Sequence, residues 1–80
     1  MEQEEIIKRL KAIAVETLRC DEGDIKNETR ADDLGADSLD EVEMLIEVEK
    51  SFKIYITDEE AIRVITFADA VELVERKVNE

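Results

Sequence analysis

The stretch Asp33–Phe52 reads DLGADSLDEVEMLIEVEKSF, and it joins a turn, a helix start and a long helix. Gly35 permits a sharp backbone turn just before Ser38. Ser38 and Glu41 have the spacing of a capping box, which predicts a helix over Ser38–Phe52. The turn therefore delivers Ser38 to a helix N-terminus, where free backbone N–H groups and the helix dipole favour an anion.

This predicted helix has apolar residues on two faces. At about 100° per residue, Leu45, Val48 and Phe52 share one face, which suits a core. The opposite face carries a second apolar row, here called the ridge: Leu39, Val42 and Ile46. A small bundle needs only the first row, so we expect the ridge to be at least partly exposed. The alternative is that the ridge packs against the preceding connection or against a short helix that follows.

Acidic side chains surround the ridge. From Asp37 to Phe52 the chain has six acids and a single base, Lys50. An apolar ridge fenced by one sign of charge is typical of a transient docking surface, because the charges steer the approach while the ridge supplies contact area.

The rest of the chain is also predicted to be helical. The three-then-four spacing of apolar residues predicts a first helix over Gln3–Leu18. Capping boxes that begin at Thr57 and Thr66 predict helices over Asp58–Val64 and Phe67–Val78. The fold class is therefore all-α, a four-helix bundle with three longer helices and one short helix, in a single domain spanning residues 1–80.

Two segments between these helices should be extended or irregular. We expect the long connection before Asp37 to be held to the core by Ile25, Ala31 and Leu34, with a short turn near Ala31–Leu34. Residues 52–56 alternate like a strand, but a lone strand has nothing to pair with, so an extended connector is predicted.

The net charge of −12 constrains the partners. Nucleic acids are excluded, because binding them requires cations at the phosphates, and basic protein partners are favoured instead. No apolar run approaches the roughly 18 residues of a membrane span. The acidic start Met1–Glu5 is the reverse of a signal or transit peptide. We expect a cytoplasmic monomer.

The sequence offers little for catalysis or metal binding. It has no histidine, and no base is evident that would activate Ser38 as a nucleophile. Asp33, Asp37 and Asp40 lack the loop pattern of a calcium site. Cys20 is expected to be a small apolar residue at a helix end. On spacing alone, a helix cap is the better explanation of Ser38, and an acidic regulator or nucleic-acid mimic remains an alternative.

A family resemblance favours a carrier function. The segment DLGADSLD at residues 33–40, with Val42-Glu43, Phe52 and Ile56 followed by DEEA at residues 58–61, resembles the acyl carrier proteins of fatty acid and polyketide synthesis. The resemblance implies a non-catalytic carrier whose Ser38 holds 4′-phosphopantetheine. A magnesium-dependent phosphopantetheinyl transferase would add this arm from coenzyme A, and acyl groups would ride on it as thioesters.

The resemblance also implies a partner face that basic patches on synthases, reductases and acyltransferases recognise. It falls on the following positions: Asp37, Leu39, Asp40, Val42, Glu43, Ile46 and Glu49. Thr57, Lys50 and Glu47 depart from common family residues. The function implied is therefore fatty acid biosynthesis, with a dedicated carrier of polyketide, lipid or aminoacyl groups as the alternative.

The predicted core is almost wholly aliphatic. Such a core could open between its helices to shelter an acyl chain, since each buried methylene contributes about 0.8 kcal/mol. An ordinary closed core is the other interpretation, and the sequence does not separate the two.

Overall fold

The computed structural model describes residues 1–80, and its helices lie close to the predicted bounds. The four helices are α1 (Gln3–Leu18), α2 (Ser38–Phe52), α3 (Asp58–Arg63) and α4 (Phe67–Val78). Helix α3 ends one residue before its predicted end, because Val64 leaves the helical conformation and serves as the C-cap. The all-α bundle with one short helix is confirmed.

Contacts at the helix ends show how the three long helices are oriented. The Arg9 guanidinium of α1 donates to the carbonyl of Ser51, at the end of α2, at 3.4 Å. The Met1 amino group donates to the Asn79 side chain, just beyond α4, at 3.4 Å. Helix α1 is therefore antiparallel to both α2 and α4. The N-termini of α2 and α4 lie at one end of the bundle, called here the upper end.

The core consists of apolar side chains, most of them from the three long helices, with Ile25 and Ile56 added by the connections. Its central cluster contains Ile6, Leu10, Phe52, Val71 and Val74. No polar or charged residue is buried. Individual side-chain nitrogen and oxygen atoms that are buried within half-buried residues all have a hydrogen-bond partner. Apolar burial, rather than an internal polar network, holds the bundle together.

The long connection between α1 and α2 is ordered by short turns and by α4. It contains 3-10 turns at Glu22–Asp24 and Asp32–Leu34, the second within the predicted turn. Ile25 is buried, and Ala31 and Leu34 are half-buried.

Backbone hydrogen bonds tie this connection to the start of α4. The N–H groups of Phe67 and Ala68 donate to the carbonyls of Thr29 and Asn27 at 2.8 and 2.9 Å. Since the first N–H groups of a helix have no partner within it, the connection also caps α4.

The segment from α2 to α3 is an extended connector, as predicted. Phe52 and Ile56 are buried and Ile54 is half-buried, while Lys53 and Tyr55 are exposed. The alternation places the apolar side chains inward without any strand pairing.

Candidate functional site

The site begins with the turn that leads into α2. The turn at Asp32–Leu34 ends at Gly35, which has φ 83° and ψ 14°, in the left-handed region. The Gly35 N–H donates to the Asp32 carbonyl at 3.1 Å, and the Ala36 N–H donates to the Ala31 carbonyl at 3.1 Å. Residues with a Cβ rarely adopt this conformation, so glycine is the natural residue here. The chain reverses at Gly35 and enters α2 within three residues.

The cap of α2 is formed by Asp37, and the predicted capping box between Ser38 and Glu41 is wrong. The Asp40 N–H donates to Asp37 Oδ1 at 2.9 Å, and the Asp37 N–H donates to Asp40 Oδ2 at 3.1 Å. Asp37 is extended, with φ −99° and ψ −177°, and Ser38 is the first helical residue. Aspartate and serine are about equally good N-caps, so the backbone conformation decides between them.

This arrangement leaves the Ser38 side chain free. Ser38 is exposed, and its hydroxyl takes part in no hydrogen bond within the protein. The N–H groups of the first helical turn lie beside it, and two of them, those of Ser38 and Leu39, have no acceptor inside the helix. A phosphodiester on the Ser38 oxygen therefore fits the residues present, because helix N-termini favour anions.

The ridge on α2 is exposed, as predicted. Leu39, Val42 and Ile46 have exposed fractions of 66%, 52% and 44%. On the other face, Phe52 is buried and Val48 is half-buried. Val42 also lines a cavity described below, so for this residue the two interpretations of the ridge coexist.

The acids predicted to face partners differ in their surroundings. Asp37 and Glu43 are exposed, whereas Asp40 is half-buried and occupied in the α2 cap. Glu49 is half-buried, and its Oε2 accepts a hydrogen bond from the Ile56 N–H at 2.8 Å. Glu43 is therefore the most freely available of these carboxylates, while Glu49 holds the connector in place.

An apolar cavity opens beside Ser38. Its volume is about 690 Å³, and 20 of its 25 lining residues are hydrophobic. The polar lining residues are Thr29, Arg30, Ser38, Glu41 and Thr66. Deeper lining residues such as Leu10 and Val74 also belong to the core cluster. The cavity therefore connects an exposed serine with the aliphatic interior.

Two exposed isoleucines, one in α3 and one just after it, line the outer part of the cavity. The sequence pattern did not identify them. Ile62 and Ile65 are 78% and 54% exposed, and both line the cavity. A six-residue helix offers too little buried surface for all the apolar residues between 61 and 65. That excess of apolar residues over available core was the signal that could have identified them.

Helix α3 is held in place by one carboxylate. Glu60 Oε1 lies 2.8 Å from Lys77 Nζ, and Glu60 Oε2 lies 3.5 Å from Arg76 Nη2. Hydrogen bonds lower the pKa of Glu60 from 4.5 to about 2. The bond from Lys77 has the largest effect, and the bond from the Thr57 N–H has the next largest. At neutral pH this carboxylate is ionised and joins α3 to α4.

The capping acid of α4 is held in a similar way. The Asp69 carboxylate accepts hydrogen bonds from the Thr66 and Ile65 N–H groups at 3.0 and 3.1 Å. These bonds lower the pKa of Asp69 below its ordinary value, and the bond from the Thr66 N–H has the largest effect. Both predicted capping boxes, at Thr57 and Thr66, are confirmed.

Two further features bear on function. No group of three or more side chains is placed to hold a metal ion. None of the helices has the length and apolar character that crossing a bilayer requires.

Comparison with known proteins agrees with the resemblance. Residues 8–74 match the family model described as a phosphopantetheine attachment site. A protein named acyl carrier protein from Prochlorococcus marinus (strain MIT 9515) is 42% identical over 78 residues, which cover 96% of this chain and 98% of the relative. The crystal structure of an acyl carrier protein from Thermotoga maritima superposes with a TM-score of 0.82 at 28% identity, over 99% of this chain and 93% of the other.

Proposed function

The chain belongs to the acyl carrier protein family of phosphopantetheine-bearing, non-catalytic carriers, and on that premise we propose that Ser38 is the attachment site of the 4′-phosphopantetheine arm. The observation that supports Ser38 most directly is its free hydroxyl: Asp37 takes the capping role, so the serine oxygen is exposed and unbonded at the start of α2. When bound, the arm supplies a terminal thiol to which acyl groups are attached.

The protein's own residues have three tasks in this function. Gly35 and the Asp37–Asp40 cap fix the direction in which Ser38 leaves the fold. The first turn of α2 stabilises the phosphodiester through its N–H groups and dipole. The ridge and the exposed Glu43 present the arm to partner enzymes, with the acids steering basic surfaces towards it.

We further propose that the cargo is an aliphatic acyl chain of fatty acid biosynthesis, sheltered in the cavity beside Ser38. The cavity lining is mostly hydrophobic and contains one acid, Glu41, and one base, Arg30. An aminoacyl group would have to bring an ammonium into this lining, where Glu41 is the only carboxylate, and losing its hydration there costs free energy. An alkyl chain gains about 0.8 kcal/mol for each methylene removed from water.

The protein is proposed to act as a single-domain monomer in the cytoplasm. Its charge of −12 opposes self-association, because like charges repel copies of the chain. The same charge makes encounters with basic enzymes fast and sensitive to salt.

The attachment site can be tested by intact-mass measurement after incubation with coenzyme A, magnesium and a phosphopantetheinyl transferase. We expect the wild-type chain to gain one phosphopantetheine and Ser38→Ala to gain none. Ser51 is the only other serine in the chain and is also exposed, so Ser51→Ala is a matched control that should gain the arm normally. Loading of Ser38→Ala, or no loading of the wild type, would contradict the assignment.

The sheltering proposal needs a separate measurement on loaded protein. We expect the free energy of unfolding to rise with acyl chain length, by up to about 0.8 kcal/mol per added methylene, until the cavity is full. Ala70 lines the cavity, so Ala70→Leu should reduce this gain while leaving the Ser38 modification unaffected. Equal stability of short-chain and long-chain forms would show that the chain stays in solvent.

A further inference from the structure

The end of α2 that is remote from Ser38 differs in charge from the rest of this acidic chain. Three cationic residues collect there: Lys50 in the last turn of α2, Lys53 just after it, and Arg9 of α1, which reaches the Ser51 carbonyl. Together with Tyr55, these residues are called here the lower patch. Cations at a helix C-terminus stabilise the helix dipole, which accounts for part of this cluster.

The helix dipole does not account for Tyr55. Its exposed fraction is 73%, it is the only tyrosine in the chain, and its hydroxyl has no hydrogen-bond partner within the protein. Because successive side chains of an extended segment point to opposite sides, Tyr55 faces outward while Ile54 and Ile56 face inward. Lys53, the C-cap of α2 two residues before Tyr55, is exposed as well. The chain therefore presents an exposed aromatic ring two residues after an exposed cation.

The backbone that carries Tyr55 is fixed on both sides. The Ile54 N–H donates to the Glu49 carbonyl at 3.1 Å, and the Ile56 N–H donates to Glu49 Oε2 at 2.8 Å. Ile56 is buried as well. A rigidly held tyrosine contributes large contact area at low conformational entropy cost, which is why tyrosine is enriched among the residues that dominate binding energy.

The charges of the lower patch are only partly neutralised within the protein. Arg9 pairs with Glu5 at 3.0 Å, and Lys50 lies 3.9 Å from Glu47 with 72% of its side chain exposed. Lys53 takes part in none of the salt bridges of the fold. The patch thus offers an exposed cation beside an exposed aromatic ring.

The patch lies far enough from the acids near Ser38 to be recognised separately. Along α2, Asp40 and Lys50 are ten residues apart, which corresponds to about 15 Å of helix. Charges separated by more than about 8–10 Å are largely screened from one another in physiological salt. A docking enzyme therefore meets the acids near Ser38 at one end of α2 and, beyond the other end, an exposed aromatic ring with the unpaired Lys53.

We propose that the lower patch is a second docking surface, and that it fits a partner enzyme carrying an apolar pocket with an acidic rim. Tyr55 enters the pocket, and Lys53 meets the acidic rim. Contacts at both ends of α2, acids near Ser38 and the unpaired Lys53 with Tyr55 beyond Phe52, fix the orientation of the bound enzyme and distinguish it from enzymes that offer a basic patch alone. This inference rests on the proposed function, because the partners are the enzymes that act on the arm attached to Ser38 or on its cargo.

The test measures kcat/KM with a panel of enzymes from the organism that encodes this chain: its phosphopantetheinyl transferase with the unmodified carrier, and condensing synthases and acyltransferases with the loaded carrier. We expect Lys53→Gly and Tyr55→Ser each to lower kcat/KM about fivefold with at least one enzyme of the panel. Lys53 has φ 55°, a conformation that glycine adopts without strain, so Lys53→Gly removes the cation without weakening the fold.

Lys8→Gln is the matched control. It changes the net charge by the same amount from an exposed position on α1, about 100° around that helix from Arg9. We expect it to change kcat/KM less than twofold. The Lys53→Gly effect should also vanish in about 1 M salt, where screening acts within about 3 Å, whereas the Tyr55→Ser effect should persist.

The outcomes separate this inference from the function it rests on. If the arm is added to Ser38 and no enzyme of the panel distinguishes Lys53→Gly or Tyr55→Ser from Lys8→Gln, the second docking surface is refuted and the carrier function stands. If no arm is added to the wild-type chain, both fail together.

Discussion

Replacing Gly35 by alanine should destabilise the fold by an amount set almost wholly by the backbone. Gly35 has φ 83°, and a Cβ added there would meet no atom within 4 Å. Steric overlap therefore contributes nothing, and the left-handed conformation alone costs an L-residue about 1–2 kcal/mol. Alanine also restricts the unfolded chain, which returns about 0.4–1 kcal/mol. The net loss in the free energy of unfolding should be about 1 kcal/mol.

Gly23 provides a control with the same chemical change. A Cβ at Gly23 also meets nothing within 4 Å, but its φ is not in the left-handed region. Gly23→Ala should therefore stabilise the fold by about 0.4–1 kcal/mol through the unfolded chain alone. Urea unfolding followed by circular dichroism measures both variants, and unchanged m values would show that the denatured state is comparable.

The changes in the free energy of unfolding must have opposite signs in Gly35→Ala and Gly23→Ala for this reasoning to hold. If Gly35→Ala were as stable as Gly23→Ala, the turn before Ser38 would not require a left-handed residue. A loss of more than about 3 kcal/mol would mean that steric contacts, absent from the structure, govern the site. Gly35→Asn should fall between the wild type and Gly35→Ala, since asparagine tolerates this conformation better than alanine.

Three further predictions concern the α3 contact, a helix cap and the ridge. The lowered pKa of Glu60 means that its stabilising contribution is complete above pH 4.5 and is lost as the pH falls towards about 2; Lys77→Gln should flatten this part of a melting-temperature curve against pH. Thr66→Ala should lower the free energy of unfolding by about 1 kcal/mol in a urea titration, because the Asp69 N–H loses its acceptor at 3.2 Å; no change would show that the connection alone caps α4. Leu39→Ser, at a 66% exposed position, should leave stability within about 0.5 kcal/mol while lowering kcat/KM with partner enzymes; a large loss of stability would contradict its exposure.

The helix starts could be predicted because their causes are local. Thr57 and Thr66 lie three residues before an acid, and in each case the reciprocal side-chain and backbone bonds are present. The cap of α2 could not be assigned in the same way. Asp37-Ser38 places two good cap residues next to each other, each with an acid three positions later. Only the extended backbone of Asp37 shows which one is outside the helix.

The contacts between elements were beyond the reach of sequence spacing. The bond from the Ile56 N–H to Glu49 joins residues seven apart, and the Glu60–Lys77 pair joins residues seventeen apart. Ile56 lies beyond the end of α2, so helical spacing does not relate it to Glu49, and a separation of seventeen residues between two helices follows no period. No sequence pattern therefore marks these pairs. The role of Glu49 in holding the connector could not be predicted, because helical position alone does not show which neighbouring backbone a long side chain reaches.

The α1–α2 connection and α3 lie on opposite sides of the cavity entrance and are held by different kinds of bond. This difference determines which of the two can move. The α1–α2 connection is fastened to α4 by main-chain hydrogen bonds from Phe67 and Ala68, so displacing it would leave these two N–H groups without acceptors. Helix α3 makes no main-chain hydrogen bond to another helix and is anchored through the Glu60 side chain. Widening the entrance therefore means a hinge motion of α3 while the opposite wall stays still. Amide hydrogens of α3 should accordingly exchange with solvent long before those of Phe67 and Ala68.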